Sequence, residues 1–256
     1  MQCQWLDELP TLFDSMVDRG LEPEEFHYNV LLDGYGKKHK MDEAMHIFKK
    51  MKQNGLKPTT FTYTTLLAGL YRDGRMKTVN NLFYEIQTFG QSPDEVVCNA
   101  VLNGLCKNGK MEEAIELFES LESIGISVNI EMYNTLISSF CHAGKLEDAR
   151  RHFNDIPRKG LVPNVVTYTA TITGLFRNKM LMEANALINQ MEENGCSLDA
   201  RAYDTIISGF LIAKEIDKAL QFLCEMLERE FVPSDCVVSF LVNTLSADIT
   251  ILQYYS

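Results

Sequence analysis

A short polar side chain recurs every 35 residues along this chain, at Asn29, Thr64, Asn99, Asn134, Thr169 and Asp204, with Ser239 next in the series. Thirty residues after each of the first six stands a second polar residue: Thr59, Asp94, Asn129, Asn164, Asp199 and Ser234. Small amides, hydroxyls and carboxylates at such spacing point to donating and accepting hydrogen bonds, group by group, along a surface. The first series sits among apolar and aromatic neighbours, where Asn, Thr, Asp and Ser cost up to about 0.7 kcal/mol each relative to Ala in a helix interior. A sequence selected for stability alone would not repeat that choice seven times; a plain solvated helix face is the competing reading. The second series has a further explanation, since its residue types all cap helix N-termini, and capping and ligand contact can coexist.

The same search finds no catalytic constellation. His27, His39, His46, His142 and His152 fall at different repeat positions, and carboxylate pairs such as Glu112-Glu113 read as solvated helix faces. There is no P-loop, no Gly-x-Ser-x-Gly elbow, no His-Glu-x-x-His helix and no zinc-deaminase signature. The cysteines, Cys3, Cys98, Cys106, Cys141, Cys196, Cys224 and Cys236, form no Cys-x-x-Cys pair and no zinc-spaced cluster. Reduced packing thiols, no metal, no cofactor and no enzymatic activity are expected.

The elements that position the polar rows share their period. Gly20, Gly55, Gly90, Gly125, Gly160 and Gly195 are each 35 residues apart. Three residues after these positions come Pro23, Pro58, Pro93, Val128, Pro163, Leu198 and, in the same register, Pro233. Five further on stand Tyr28, Tyr63, Cys98, Tyr133, Tyr168, Tyr203 and Val238, then the small residues Ala44, Val79, Ala114, Ala149, Ala184 and Ala219. Within one unit, Tyr28, Leu31, Leu32 and Tyr35 follow helical spacing, and Met41, Ala44, Met45, Phe48 and Met51 resume it after a break at Lys38-His39-Lys40. Each unit is therefore an αα-hairpin, its second helix ended by a left-handed Gly and kept from continuing by Pro.

One hairpin buries only one face, so neighbours must stack to make a core. The expected fold is all-α, a right-handed α-solenoid of hairpins at 25–59, 60–94, 95–129, 130–164, 165–199 and 200–234. Residues 1–24 read as the second helix of an earlier unit, with Leu9, Phe13 and Met16 on its apolar face. Residues 235–256 read as the first helix of a seventh unit, followed by a stretch, Asp248-Ile249-Thr250-Ile251-Leu252, that breaks the pattern. Starting and ending mid-unit without polar caps, the chain reads as a fragment of a longer solenoid. With 256 residues, 46% of them hydrophobic and 23% charged, it is long enough for a core, and no apolar run is long enough to span a membrane. The amino end shows no secretory or transit signal.

Segments such as Val165-Val166-Thr167-Tyr168-Thr169, Met132-Tyr133-Asn134-Thr135-Leu136-Ile137, Gly104-Leu105-Cys106-Lys107-Asn108-Gly109-Lys110-Met111-Glu112-Glu113-Ala114 and Lys159-Gly160-Leu161-Val162-Pro163-Asn164 resemble pentatricopeptide repeats. The likeness is to the uninterrupted P-type, as in restorer-of-fertility-like plant organelle proteins; tetratricopeptide repeats, with their Trp/Leu-Gly signature, fit less well. The resemblance implies that each unit reads one base of single-stranded RNA. The reading pairs would be Asn29/Thr59, Thr64/Asp94, Asn99/Asn129, Asn134/Asn164, Thr169/Asp199 and Asp204/Ser234. Phe26, Phe61, Val96 and Val166 would pack on base planes, while Glu131 and Arg201 depart from that pattern.

By the family's code, Thr/Asp implies G, Asn/Asn a pyrimidine with C over U, and Asn/Thr a pyrimidine; Asp/Ser is left unassigned. With protein and RNA parallel, the expected core is 5′-YGYYG-3′, which occurs at about one in 128 random sites, so neighbouring repeats or a partner must add selectivity. Lys37, Arg72, Lys107 and Arg177, with His142 and Ile212 in the same register, could line a phosphate track, or simply favour a helix C-terminus. The formal charge of −11 argues against nucleic acid taken alone. Yet the first fourteen residues of the six units sum to 0, 0, 0, −1, +1 and 0, which leaves the acidity mostly on the second helices. A monomer is expected, with RNA-processing proteins as further partners, no DNA, and a mitochondrial address ahead of a plastid one. A protein-binding scaffold is the alternative, and a truncated copy that folds poorly the third reading.

Overall fold

The computed structural model describes residues 5–88 and 94–254; Cys3, Gly90 and Pro93 lie outside the described residues. Among those residues there are fourteen α-helices and no strand. After α1 (Trp5–Asp18), the first helices of the six units are α2 (Glu25–Lys37), α4 (Thr60–Arg72), α6 (Glu95–Lys107), α8 (Ile130–His142), α10 (Val165–Arg177) and α12 (Ala200–Ile212). Their second helices are α3 (Met41–Gln53), α5 (Met76–Thr88), α7 (Met111–Ser120), α9 (Leu146–Asp155), α11 (Leu181–Glu193) and α13 (Ile216–Glu228), and α14 (Asp235–Tyr254) closes the chain.

The chain forms two compact units, residues 1–128 and 129–256. In the first, α1 packs on α2, α2 on α3 and α4, and α4 on α6. In the second, α8 packs on α9 and α10, α10 on α12, and α12 on α13 and α14. Within each compact unit the first helices thus lie side by side as a layer, each backed by its own second helix.

The periodic tyrosines tie the two layers together. Tyr28, Tyr133, Tyr168 and Tyr203 are fully buried, and each phenol reaches the end of its own second helix. Tyr28 Oη accepts from Asn54 Nδ2 at 2.7 Å and Tyr168 Oη from Asn194 Nδ2 at 2.9 Å. Tyr133 and Tyr203 instead donate, to Asp155 Oδ2 at 2.9 Å and Glu225 Oε1 at 2.7 Å. A buried hydroxyl needs such a partner, because leaving it unpaired costs about 1–3 kcal/mol. The periodic small residues Ala44, Val79, Ala114, Ala149, Ala184 and Ala219 are all buried.

Gly55, Gly125, Gly160 and Gly195 have φ of 70° to 81°, as expected for helix stops, and Glu230, in the same register, is forced to φ 62°. A second left-handed stop, absent from the sequence reading, falls between the two helices of each unit. Gly74, Gly109 and Gly144 occupy it at φ 67° to 73°, and His39, Lys179 and Lys214 at 57° to 63°.

Two further points differ from expectation. The second helices of the third and fourth units stop early and tighten into 3₁₀ turns at Glu122–Ile124 and Pro157–Lys159. Pro157 has no N–H for an α-helical bond, and Ser120 and Ser123 turn their hydroxyls back to the carbonyls of Leu117 and Ser120. The final segment is one twenty-residue helix with no break near Asp248. Its stop position is held by Ile249, and a β-branched residue resists the left-handed conformation that ends the other first helices.

Candidate nucleic-acid interface

Each of α4, α6, α8, α10, α12 and α14 begins just after a residue of the second polar row. Asp94, Asn129, Asn164 and Asp199 accept the N–H of Val97, Met132, Thr167 and Ala202 at 2.7–3.1 Å, and Ser234 Oγ that of Val237 at 3.4 Å. Capping is therefore a real role of this row. Beside it, large apolar side chains stand in solvent: Phe26 is 71% exposed, Phe61 58%, Val96 59% and Val166 53%. Packing cannot explain four such residues in one register, and Glu131 and Arg201 in the same register are exposed too.

The helical stack brings partners together from 30 residues apart. Asn134 Nδ2 donates to Asn164 Oδ1 at 3.3 Å, and Asp204 Oδ1 accepts the Ser234 N–H at 3.2 Å. Asn29 and Thr59 meet through a third residue, since Glu25 Oε1 accepts from Asn29 Nδ2 at 3.1 Å and from Thr59 Oγ1 at 2.7 Å. Asn29 is buried, so its amide faces protein more than solvent. Thr64 and Thr169 are half-buried and donate to their own helix, to the carbonyls of Thr60 and Val165 at 2.9 and 2.7 Å. Each hydroxyl keeps lone pairs for a ligand. Asp199 is exposed with one oxygen on its cap, whereas Asp94 caps with Oδ1 and takes the Thr60 hydroxyl on Oδ2. Asn99 is half-buried in the first compact unit and Asn129 half-buried at the start of the second.

A concavity of about 260 Å³ between α2 and α4 is lined by Lys37, Phe61, Thr64 and Arg72, which joins a base-packing, a base-reading and two cationic positions. All four cations of the candidate phosphate track, Lys37, Arg72, Lys107 and Arg177, are exposed. Lys37 Nζ pairs with Asp33 at 2.6 Å, and Arg72 Nη1 donates to the Gly36 carbonyl at 3.0 Å, at the C-terminus of α2. For Arg72 the helix-end role is thus realised, across to the neighbouring helix. His142 Nδ1 lies 2.7 Å from the Ser138 carbonyl, and Ile212 is exposed.

Three sets of residues beside this surface escaped the sequence reading. Thr62 and Thr167 are fully buried and bond back to the polar residue of the preceding unit. Glu25 holds the first pair. Gly104, Gly174 and Gly209 let adjacent first helices approach, for a Cβ there would stand 2.1–2.5 Å from Tyr71, Cys141 and Phe176, and Gly69 leaves room for Met41 of α3. The 35-residue spacing of those glycines was the available signal. Burial raises the thiols of Cys98 and Cys141 to about 11, which makes them packing groups. No group of side chains suited to a metal ion occurs among the described residues, and no described helix is long and apolar enough to cross a membrane.

Family models for the PPR repeat match residues 23–72, 93–131, 128–177 and 163–211, and a second PPR repeat model matches 61–91 and 201–231. The chain belongs to the PPR repeat family. Among solved structures, this PPR chain is similar to the pentatricopeptide repeat protein PPR10 from maize, with 25% identity and a TM-score of 0.68 over 96% of this chain and 37% of that one. It therefore spans little more than a third of that protein's length. PPR10 in complex with an 18-nt psaJ RNA element matches at 21% identity and a TM-score of 0.63, over 95% of this chain and 41% of that one. The PPR domain of Arabidopsis thaliana protein-only RNase P 1 in complex with tRNA shares the fold at 16% identity and a TM-score of 0.54, over 70% of this chain and 94% of that one. A comparison with curated proteins finds no match.

Proposed function

We propose that this PPR chain binds single-stranded RNA through its first-helix layer, one base per repeat, and acts without catalysis in organellar RNA processing, stabilisation or translation. The observation that carries the reading is the register of exposed Phe26, Phe61, Val96 and Val166 beside the polar rows. An apolar side chain held in water supplies a stacking face that any base can use, at about 1–3 kcal/mol per base, while the adjoining polar pair supplies the base-edge contact. The constant 35-residue register supports the P-type reading, and mitochondria are the compartment proposed on the family resemblance. Binding alone suffices for such a role, because a coated transcript is closed to exonucleases and cannot fold back on itself.

The near-neutral first-helix surface and its few cations imply modest affinity with a shallow salt dependence. Fluorescence anisotropy tests the reading, with an RNA carrying CGCCG against one carrying CACCA, each in unstructured flanks. The expected result is preference for the first, lost on replacing both Thr64 and Thr169 by Ala. Equal or absent binding to both RNAs would sink the base-reading claim and favour a protein partner for the acidic second helices, which account for most of the −11 charge.

A further inference from the structure

We propose that Thr167 is a positioning residue that commits the Asn134 amide to donate, and so makes the fourth repeat select cytosine over uracil; this rests on the RNA-reading function proposed above. The chain of hydrogen bonds fixes the roles one after another. The backbone N–H of Asn164 donates to Thr167 Oγ1 at 3.2 Å, so the hydroxyl is an acceptor on that side. Its single proton then goes to the nearest acceptor, Asn134 Oδ1 at 2.6 Å. The other candidate, Asn164 Oδ1, is farther at 3.1 Å and already receives the Thr167 N–H. With its oxygen engaged by Thr167, half-buried Asn134 is oriented with Nδ2 toward Asn164, making one long bond to Asn164 Oδ1 at 3.3 Å and keeping a second N–H for a ligand.

An amide so oriented meets a base as a donor. Cytosine offers an acceptor at N3 in the middle of its Watson–Crick edge, where uracil carries N–H, so the fixed amide matches the first and opposes the second. The same device recurs in the first compact unit, where Thr62 Oγ1 accepts the Thr59 N–H at 3.1 Å and donates to Asn29 Oδ1 at 2.8 Å. There Asn29 is buried and its amide bonds the Glu25 carboxylate, whereas Asn134 is half-buried, which makes the fourth repeat the place to look. Repeats whose polar residue is a threonine have no such hydroxyl: Val97 and Ala202 stand in that register after Thr64 and Thr169. Those threonines bond to their own helices instead.

The test compares Thr167→Val, which keeps the branched shape and loses the proton, with Thr167→Ser, which keeps the hydroxyl. Affinity is measured for CGCCG, CGCUG and CACCG. Wild type and Thr167→Ser are expected to favour C over U at the fourth base by about tenfold, a single well-placed contact. Thr167→Val is expected to fall to threefold or less while its preference for G at the second base stays at the wild-type ratio. Full C-over-U preference in Thr167→Val, or loss of it in Thr167→Ser as well, overturns the inference; absence of any base preference in wild type overturns the RNA reading instead. A second measurement needs no RNA. The side-chain ¹⁵N–¹H₂ resonances of Asn134 are expected to shift and exchange faster in Thr167→Val and to stay in place in Thr167→Ser, and unchanged resonances in Thr167→Val refute the positioning role outright.

Discussion

Replacing Gly104 by Ala tests the packing of the first-helix layer, because two effects of opposite sign compete at one atom. In an ordinary helix interior the change stabilises by about 1 kcal/mol. Here a Cβ would lie 2.1, 2.3 and 2.4 Å from three ring atoms of Tyr71, whereas carbon atoms in contact sit at about 3.5–4.0 Å. The ring must therefore retreat by more than an ångström, and it is buried on its other sides. Overpacking of this kind costs about 1–3 kcal/mol, so the net expectation is destabilisation of up to about 2 kcal/mol once the helix gain of about 1 kcal/mol is subtracted. In a Tyr71→Ala background the obstacle is gone, the new methyl partly fills the cavity, and the same substitution should stabilise by about 1 kcal/mol. Urea denaturation followed by circular dichroism, with amide hydrogen exchange in α4 and α6, reads both numbers. The reasoning is wrong if Gly104→Ala has the same sign in the two backgrounds.

Glu230→Gly should stabilise the chain, since a non-glycine residue at φ 62° costs about 1–2 kcal/mol and glycine returns only part of that through unfolded-state entropy. A rise in Tm of about 1–4 °C is expected, and a fall would show that the Glu230 side chain stabilises more than its backbone costs. Maleimide labelling at pH 8 should modify exposed Cys224 and Cys236 and spare Cys98 and Cys141 until denaturant is added. With thiols near 11, only about a thousandth of each is thiolate at that pH. Rapid labelling of Cys98 in the native protein would contradict its burial.

The hairpin repeat was legible because several independent constraints recur with one period. Tyr28 and Ala44 mark buried faces, Gly55 marks a backbone conformation, Pro58 marks a forbidden one, and each follows from local chemistry that a single sequence displays. The stop between the two helices of a unit was harder to see. It falls on Gly74, Gly109 and Gly144 but also on His39, Lys179 and Lys214, and the latter three advertise nothing about φ. Gly104 was missed for another reason: its glycine answers a ring 33 residues earlier, a relation visible only once two helices lie against each other.

The candidate surface divides along the same line. Residue types and exposure at Phe26, Phe61, Val96 and Val166 could be read from the period, since what folding does not need in each repeat stands out against what it does. Whether an amide there is free, occupied or oriented could not, because that depends on neighbours supplied by other repeats. Asn29 and Asn134 are the same residue in the same register, yet the first is buried with its amide on the Glu25 carboxylate and the second is half-buried with only a long bond to another amide. Identical letters in a repeat array therefore need not be equivalent readers. A pairwise rule that names only Asn29 with Thr59 and Asn134 with Asn164 omits the threonine that decides which face of each amide is offered, and the carboxylate that has already taken one of them.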